Sequence, residues 1–367
     1  MSQKTKRITE GTTTITIFNQ KTSPKGPASK NPVPFYNPAM ELNRDFSIVL
    51  AQWFINQSKR IFRLLDGLGA SGIRGIRFAK EVEGTFEVFI NDWNTQAYEL
   101  IKRNVAVNKV DQITVYNRNI NALLSENSYD YIDIDPFGSP VSYIDAALRS
   151  ISHNGIIACT ATDTATLCGV YPKVCLRRYH AQPLHSFVMH EIGLRILLGF
   201  LCREAAKYDK GIEPLASYYD DHYFRTYIQI KNGKNISNSS IENNRIINSC
   251  EHIFPCTSQK SIGPLWMGSL HQKKVIAIIR TLLFTKELNT KNRLWKLLSL
   301  LEEEADSPPF YFTTDVIASF LGCSVPKLDK VISSIKEKGF QATRTQFQMN
   351  GFKTNAPVPI IKEVFKE

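Results

Sequence analysis

"RIFRLLDGLGASGIRGIRFAKEV", residues Arg60 to Val82, reads as three pieces in succession. Ile61 to Leu65 is a short apolar run, Asp66 to Gly75 is glycine-rich, and Ile76 onward has helical periodicity. Strand, glycine turn and helix together make the opening unit of a doubly wound α/β fold. In such a fold the turn at the strand's carboxyl end meets a ligand. A lone glycine motif is weak, so the flanking segments carry the argument.

Those segments alternate. "FEVFIND" is a second strand ending at Asp92, and "TQAYELIKRNVAVN" a helix with Ala97, Leu100, Ile101 and Val105 on one face. "ITVYN" and "YDYIDID" are a third and fourth strand, "PVSYIDAALRSI" a helix and "GIIACTAT" a fifth strand. Strands alternating with helices specify a mostly parallel sheet. Upstream, "GTTTITIF" is a strand, "QKTSPKGPASKNPVP" a loop, and "NRDFSIVLAQWFINQ" a helix capped by Asn43. Downstream, "SFVMHEIGLRILLGFLCREAAKY" is a long helix and "IEPLASYYDDHYFRTYIQIK" two strands around a tight loop. The Asn/Ser-rich "NGKNISNSSIENNR" reads as a mobile loop. From about Gly263 four helical segments precede a basic hairpin, "FQATRTQFQMNGFKTNAP", as in a winged-helix-like or small α/β module.

A chain of 367 residues is long for one core, and two domains are expected. The net charge of +11 favours a polyanionic partner such as nucleic acid. Residues 1–65 hold ten Lys/Arg (Lys4, Lys6, Arg7, Lys21, Lys25, Lys30, Arg44, Lys59, Arg60, Arg63) against Glu10, Glu41 and Asp45, so the excess is local. The seven cysteines are scattered and include no C-x-x-C pair, which suits a reducing cytoplasm rather than a disulfide scaffold. "MSQKTKRITEG" has no apolar stretch of the signal-peptide kind, and "IGLRILLGFLC" is too short to cross a membrane.

The glycine turn leads with an acid: Asp66, then Gly67, Gly69 and Gly72. A dinucleotide site ordinarily lacks that leading carboxylate. The acid-first form suits a ligand with an ammonium group, and S-adenosyl-L-methionine fits. Asp92, at the next strand's end, is placed to accept ribose hydroxyls, or else to cap the following helix. Asn119 and Ile120 follow the third strand, where an adenine edge would lie. Asp135-Pro136-Phe137-Gly138 ends the fourth strand. A turn that merely closes a strand would use such residues. So would a site for an aromatic amine, with Asp135 accepting its proton, the Pro136 carbonyl accepting another, and Phe137 offering a π-face.

Eight segments carry a resemblance: "PFYNPAMELNRDFS", "DGLGASGIRGIRFAKE", "YELIKRNVAVN", "DIDPFGSP", "TATDTATLCGVYP", "AAKYDKGIEPLASYYDDHYFR", "GPLWMG" and "ATRTQF…GFKTNAP". In this order and nearly end to end, the chain resembles the tRNA (guanine-26 N2) dimethyltransferase family. The resemblance implies a class I methyltransferase domain, α/β with a doubly wound seven-stranded Rossmann-like sheet, over residues 1–264. A smaller C-terminal α+β domain, residues 265–367, would bind tRNA. It implies methylation and dimethylation of guanine-26 N2 with S-adenosyl-L-methionine, in the cytoplasm, with no membrane and no obligate protein partner.

Carried over by residue, the resemblance gives Arg44 and Arg74 to the cofactor's carboxylate, Asp92 to its ribose, and Asn119 with Ile120 to its adenine. An Asp-Ala pair is common where Asn119-Ile120 stands, so the backbone of Ile120 is the stronger contact. Asp135 would act on guanine N2, with Phe35 and Phe137 stacking the flipped base. By position on the terminal hairpin, Arg344 and Lys353 would meet tRNA phosphates or form a solvated basic edge, and Asp163 would line the site or cap a turn. His180, His185 and His190 read as structural. Cys250 and Cys256 lack a second pair for zinc. Two rival readings remain at this point: an adenine-N6 methyltransferase with the same site logic, and a tRNA-binding factor without turnover.

Overall fold

A computed structural model describes residues 5–19, 34–256 and 258–366. It opens on a hairpin, β1 (Thr5–Glu10) against β2 (Thr13–Phe18), paired antiparallel from Thr5 with Phe18 to Glu10 with Thr13. The expected strand is β2. Its partner, "TKRITE", is too charged to announce itself. Most of the expected Pro/Lys-rich loop lies outside the described residues, as do Lys4, Lys21, Lys25 and Lys30. A single 3₁₀ turn, Pro38–Met40, then leads into α1 (Glu41–Ile55). The cap is Asn37, whose side chain accepts the Ala39 N–H at 3.0 Å, and not Asn43, which is buried inside α1. Pro38 presets helical φ, so the chain turns helical earlier than the apolar pattern suggests.

Alternation follows as expected: β3 (Phe62–Asp66), α2 (Ile73–Glu81), β4 (Phe86–Asn91), α3 (Thr95–Asn108), β5 (Ile113–Tyr116), α4 (Ile120–Glu126), β6 (Tyr129–Ile134), α5 (Val141–Ser150) and β7 (Ile151–Ala161). Then come α6 (Thr164–Leu167), α7 (Pro172–Tyr179), α8 (Met189–Ala206), β8 (Lys210–Asp220) and β9 (Tyr223–Asn232). Seven strands make one sheet in the order β5-β4-β3-β6-β7-β9-β8, and the five from β5 to β7 run parallel. The fold is the expected doubly wound α/β. Chain order runs outward one way from β3 and the other way from β6, so the switch point lies between those two strands. In sheets of this kind a ligand binds at such a point, outside the strands' carboxyl ends. The register pairs Asp66 with Asp133, which sets the ends of β3 and β6 side by side.

By internal contacts the chain divides into two compact units. The first holds residues 1–162, 227–232 and 277–296; the second holds 163–226, 233–276 and 297–367. In the second, the Asn/Ser-rich segment is not a loop but α9 (Lys234–Glu242). Its Ser237 and Ser240 are buried, and Ser240 Oγ accepts the Ile212 N–H at 3.1 Å. Small polar residues make that helix by packing close to a strand, a signal that composition alone conceals.

After it come β10 (Asn244–Asn248), α10 (Ser249–His252), β11 (Ser261–Trp266), α11 (Lys273–Leu282), α12 (Lys291–Glu304), β12 (Phe312–Thr313), α13 (Thr314–Leu321), α14 (Leu328–Glu337), β13 (Ala342–Arg344), β14 (Gly351–Thr354) and α15 (Val358–Val364). The expected hairpin is β13 with β14, extended by β12. Ile317, Val331, Ile335, Phe352 and Ile361 form the core beneath it.

Two expectations are corrected in the second unit. Lys353 does not face solvent: it is buried, and its ammonium donates to Glu191 Oε1 at 2.8 Å. The whole of β14 is covered, so its residues lose the in-out alternation of an edge. Arg344 stays exposed beside Asp329, at 2.5 Å. Cys250 and Cys256 are joined in a disulfide, while the other five cysteines are free. Among the described residues no helix is long and apolar enough to cross a membrane.

Candidate active site

The glycine turn lies close over the sheet. The Gly67 N–H donates to the Asp133 carbonyl at 3.1 Å and the Gly69 N–H to the Asn91 carbonyl at 2.8 Å. A Cβ on Gly67 would stand 2.4 Å from Ile120 Cδ1, and one on Gly69 2.6 Å from Ile90 Cγ2. Gly72 opens α2 at φ +79°, in the left-handed region. The turn therefore needs glycine for close packing on the strands as well as for its backbone shape.

Asp92 braces this turn. Its carboxylate accepts the Ala70 N–H and the Asn94 N–H, each at 2.9 Å. Burial raises its pKa, and the two amide donors oppose the rise. Asn119 caps α4, accepting the Asn121 N–H at 2.9 Å. Its side chain is thus engaged locally, while the Ile120 side chain covers Gly67.

Three carboxylates meet one guanidinium where β3 and β6 end. Arg74 on α2 pairs with Asp135 and stands 3.4 Å from Asp133. Its Nη1 donates to Asn43 Oδ1 and Ser47 Oγ on α1, each at 2.8 Å. Tyr131 Oη donates to Asp133 at 3.1 Å, and the Gly75 N–H donates to Asp66 at 3.1 Å. One cation cannot neutralise two buried acids, Asp66 and Asp133, and a half-buried one, Asp135, so one acid keeps its proton. That acid is Asp66. Burial pushes its pKa up to about 7, with Asp133 and Asp135 adding to the rise and Arg74 opposing it.

A stability profile tests this assignment. Unfolded, Asp66 releases its proton near the ordinary 3.8; folded, it does so near 7. The native state holds the extra proton between those values, so stability falls as pH rises through that window. Asp66→Asn mimics the neutral acid. The variant should match wild type near pH 4 and grow relatively more stable up to about pH 7, then hold that margin. Denaturation midpoints read the difference, and parallel profiles would place the proton elsewhere.

The 135–138 turn follows directly. Gly138 donates to Thr162 Oγ1 at 2.7 Å and its carbonyl accepts the Thr162 N–H at 2.9 Å, which ties the turn to the end of β7. Phe137 is left 51% exposed. Phe35 approaches it edge-on, ring centroids 5.8 Å apart at 65°. An aromatic pair with one ring exposed and one half-buried, beside a partly buried carboxylate, can receive a flat, amine-bearing ring.

Phe35 is positioned from behind. Tyr36 Oη donates to Glu10 at 2.5 Å, and Arg44 Nε donates to the same carboxylate at 2.8 Å. Arg44 also donates to the Asn37 carbonyl at 3.0 Å and lies over the Tyr36 ring. Arg44 therefore holds the Phe35 segment through Glu10, the Asn37 carbonyl and the Tyr36 ring. Asp66, Gly67, Arg74 and Asp135 come together, with Phe35 and Phe137 alongside.

Glu10, Asn43, Ser47, Asp133 and Thr162 are missed by the motif reading. Only Asp133 left a signal: two residues from Asp135 on one strand, it points to the same face. In the second unit, Asp163 accepts from Tyr179 Oη at 2.7 Å and Arg178 at 3.1 Å. His185 bonds the Cys168 carbonyl, and His190 stacks on Tyr219. Among the described residues no cluster of three or more His, Cys, Asp or Glu could hold a metal ion.

Three comparisons bear on this geometry. A sequence model of the N2,N2-dimethylguanosine tRNA methyltransferase family matches residues 11–366. The chain is 38% identical to the tRNA (guanine(26)-N(2))-dimethyltransferase of Methanobrevibacter smithii, over 99% of its own length and 97% of the relative's. It is 38% identical to the enzyme of the same name from Pyrococcus furiosus, over the whole of both chains. The solved structure of Trm1 from Pyrococcus horikoshii in complex with S-adenosyl-L-methionine superimposes with a TM-score of 0.87, at 37% identity, covering 98% of this chain and 100% of that one.

Proposed function

The chain belongs to the N2,N2-dimethylguanosine tRNA methyltransferase family, and we propose that it performs the family's reaction with Asp135 as proton acceptor. It methylates the exocyclic N2 of guanine 26 in tRNA, using S-adenosyl-L-methionine, and gives N2-methyl- and N2,N2-dimethylguanosine. The observation that carries the site assignment is the edge-on Phe35–Phe137 pair beside Asp135 at the carboxyl end of β6.

The residues at the switch point fit the cofactor. The glycine turn leaves backbone rather than side chains facing that point. The acid-rich strand ends are short of positive charge, and a ligand with ammonium and sulfonium groups supplies it. Asp66, Gly67, Gly69 and Arg74 are our candidates for its amino-acid end, Asp92 for the ribose, and Ile120 for the adenine. Asn119 acts there through the α4 cap, and Arg44 through the Phe35 segment. When bound, the cofactor supplies an electrophilic methyl group.

The chain's part is to hold the amine and move its proton. Phe35 and Phe137 hold the flipped base. The Pro136 carbonyl accepts one N2–H. Asp135 accepts the other, and Arg74 fixes Asp135's orientation. The proton leaves N2 as the new N–C bond forms, so Asp135 ends neutral while the base stays uncharged. For the dimethyl product the pocket must admit one methyl. Residues 265–367 are our candidate tRNA-holding domain, beside a methyltransferase domain of residues 1–264. A cytoplasmic site of action without an obligate protein partner completes the reading.

Nucleoside analysis tests the reaction. A tRNA transcript with guanine at position 26 should yield dimethylguanosine after incubation with S-adenosyl-L-methionine, and one with adenine there should yield no methylated base. Methyladenosine from the second transcript would favour the adenine-N6 reading. Cofactor binding without any methylated base would remove the reaction.

A further inference from the structure

The segment after β7 carries a surface that the proposed chemistry does not use. From Thr164 to His190 the chain has no Asp or Glu, but it has Lys173, Arg177 and Arg178. α7 turns Cys175 and Tyr179 inward, wholly buried. On the other side Lys173, Leu176 and Arg177 are exposed, and their spacing of three and four puts them on one face. Tyr171, directly before the helix, is 56% exposed, and Leu176 is 53% exposed. The neighbouring acid Asp163 is already bonded to Tyr179 and Arg178. Among the described residues neither Lys173 nor Arg177 is ion-paired.

Exposed cations without acids, interleaved with an exposed aromatic ring, match a polyanion that also offers flat surfaces. We propose that Tyr171 and the outer face of α7 dock tRNA. Lys173 and Arg177 lie on backbone phosphates, and the Tyr171 ring packs on a base or sugar. The acid-free run favours RNA over a protein partner. The proposal rests on the tRNA reading above.

The two kinds of contact separate by salt. Binding of a guanine-26 tRNA transcript is measured by fluorescence anisotropy between about 50 and 200 mM salt. Replacing both cations, Lys173→Gln with Arg177→Gln, should lower the slope of log affinity against log salt by about 1.5, from roughly 0.7–0.9 per lost phosphate contact. Tyr171→Ala should weaken binding about fivefold or more at every salt concentration and leave the slope alone. S-adenosyl-L-methionine affinity should stay at wild type in both. If the double variant loses it, the single variants, each expected to lower the slope by about 0.7–0.9, take its place. A wild-type slope in variants that still bind cofactor overturns this face as an RNA surface, including in favour of a protein partner. Wild-type protein that binds no tRNA would sink this proposal and the functional reading together; wild type that methylates while the variants keep its slope sinks this one alone.

Discussion

Asp135→Asn should lose methylation at guanine 26 by about 10²–10⁴-fold in kcat while keeping cofactor affinity close to wild type. The substitution is chosen for what it preserves. An amide oxygen at this position still accepts from Arg74, so the hub linking α1, α2 and β6 stays assembled. What it cannot do is take up the N2 proton. The bland alternative is that Asp135 serves only as a counter-ion for Arg74. Asp133 stands 3.4 Å from the same guanidinium and would cover for that role. On that alternative Asp135→Asn would run within about tenfold of wild type. Single-turnover assays with saturating tRNA and cofactor separate the two. Phe137→Ala belongs in the same experiment: it removes a stacking face and should raise the KM for tRNA more than it lowers kcat.

The sheet was legible because its strands are apolar runs bounded by turns, and buried parallel strands read that way. The glycine turn was legible because packing on Ile90 and Ile120 leaves room for no other residue. The carboxylates at the strand ends were legible by position alone. Their partners were not. Glu10 sits at the end of a strand that looks like a charged tail, yet it is buried and gathers Tyr36, Arg44 and Arg77. Asn43 and Ser47 lie inside a helix that reads as merely amphipathic, and their polar atoms face Arg74 across α1. The resemblance assigns Arg44 to the cofactor, and the structure adds an acid partner for it, Glu10. No local pattern reveals a partner 34 positions earlier. Lys353 is misplaced by the sequence because its acid, Glu191, is 162 residues away. Long-range ion pairs leave no periodicity, and periodicity is what a single sequence displays.

Arg77→Met should destabilise the protein by about 3–5 kcal/mol, the usual cost of removing one member of a buried ion cluster. Arg77 is wholly buried on α2. Its guanidinium lies 2.7 Å from Asp45, 2.9 Å from Glu81 and 3.2 Å from Glu10. Methionine fills the same space but leaves Asp45 and Glu81 without that charge, and Glu10 with Arg44 alone. Burial works against a charged Glu10, yet Arg44, Arg77 and the Tyr36 hydroxyl hold its pKa down to about 2. A depressed carboxylate stabilises above its ordinary 4.5 and loses that stabilisation as pH falls toward 2. The variant's deficit should therefore be full near neutrality and shrink in acid, as the Glu10 stabilisation is lost from wild type.

Urea denaturation across that range measures both parts. Arg77→Lys, which keeps a charge but not the fork, should fall between wild type and Arg77→Met. Since Glu10 also holds Tyr36 and Arg44, the loosened cluster should free Phe35 from Phe137 and raise the KM for tRNA in protein that is still folded. A variant within about 1 kcal/mol of wild type at neutral pH would mean that water reaches these carboxylates. The cluster would then be neither the anchor of the β1–β2 hairpin nor the reason Phe35 stays in place.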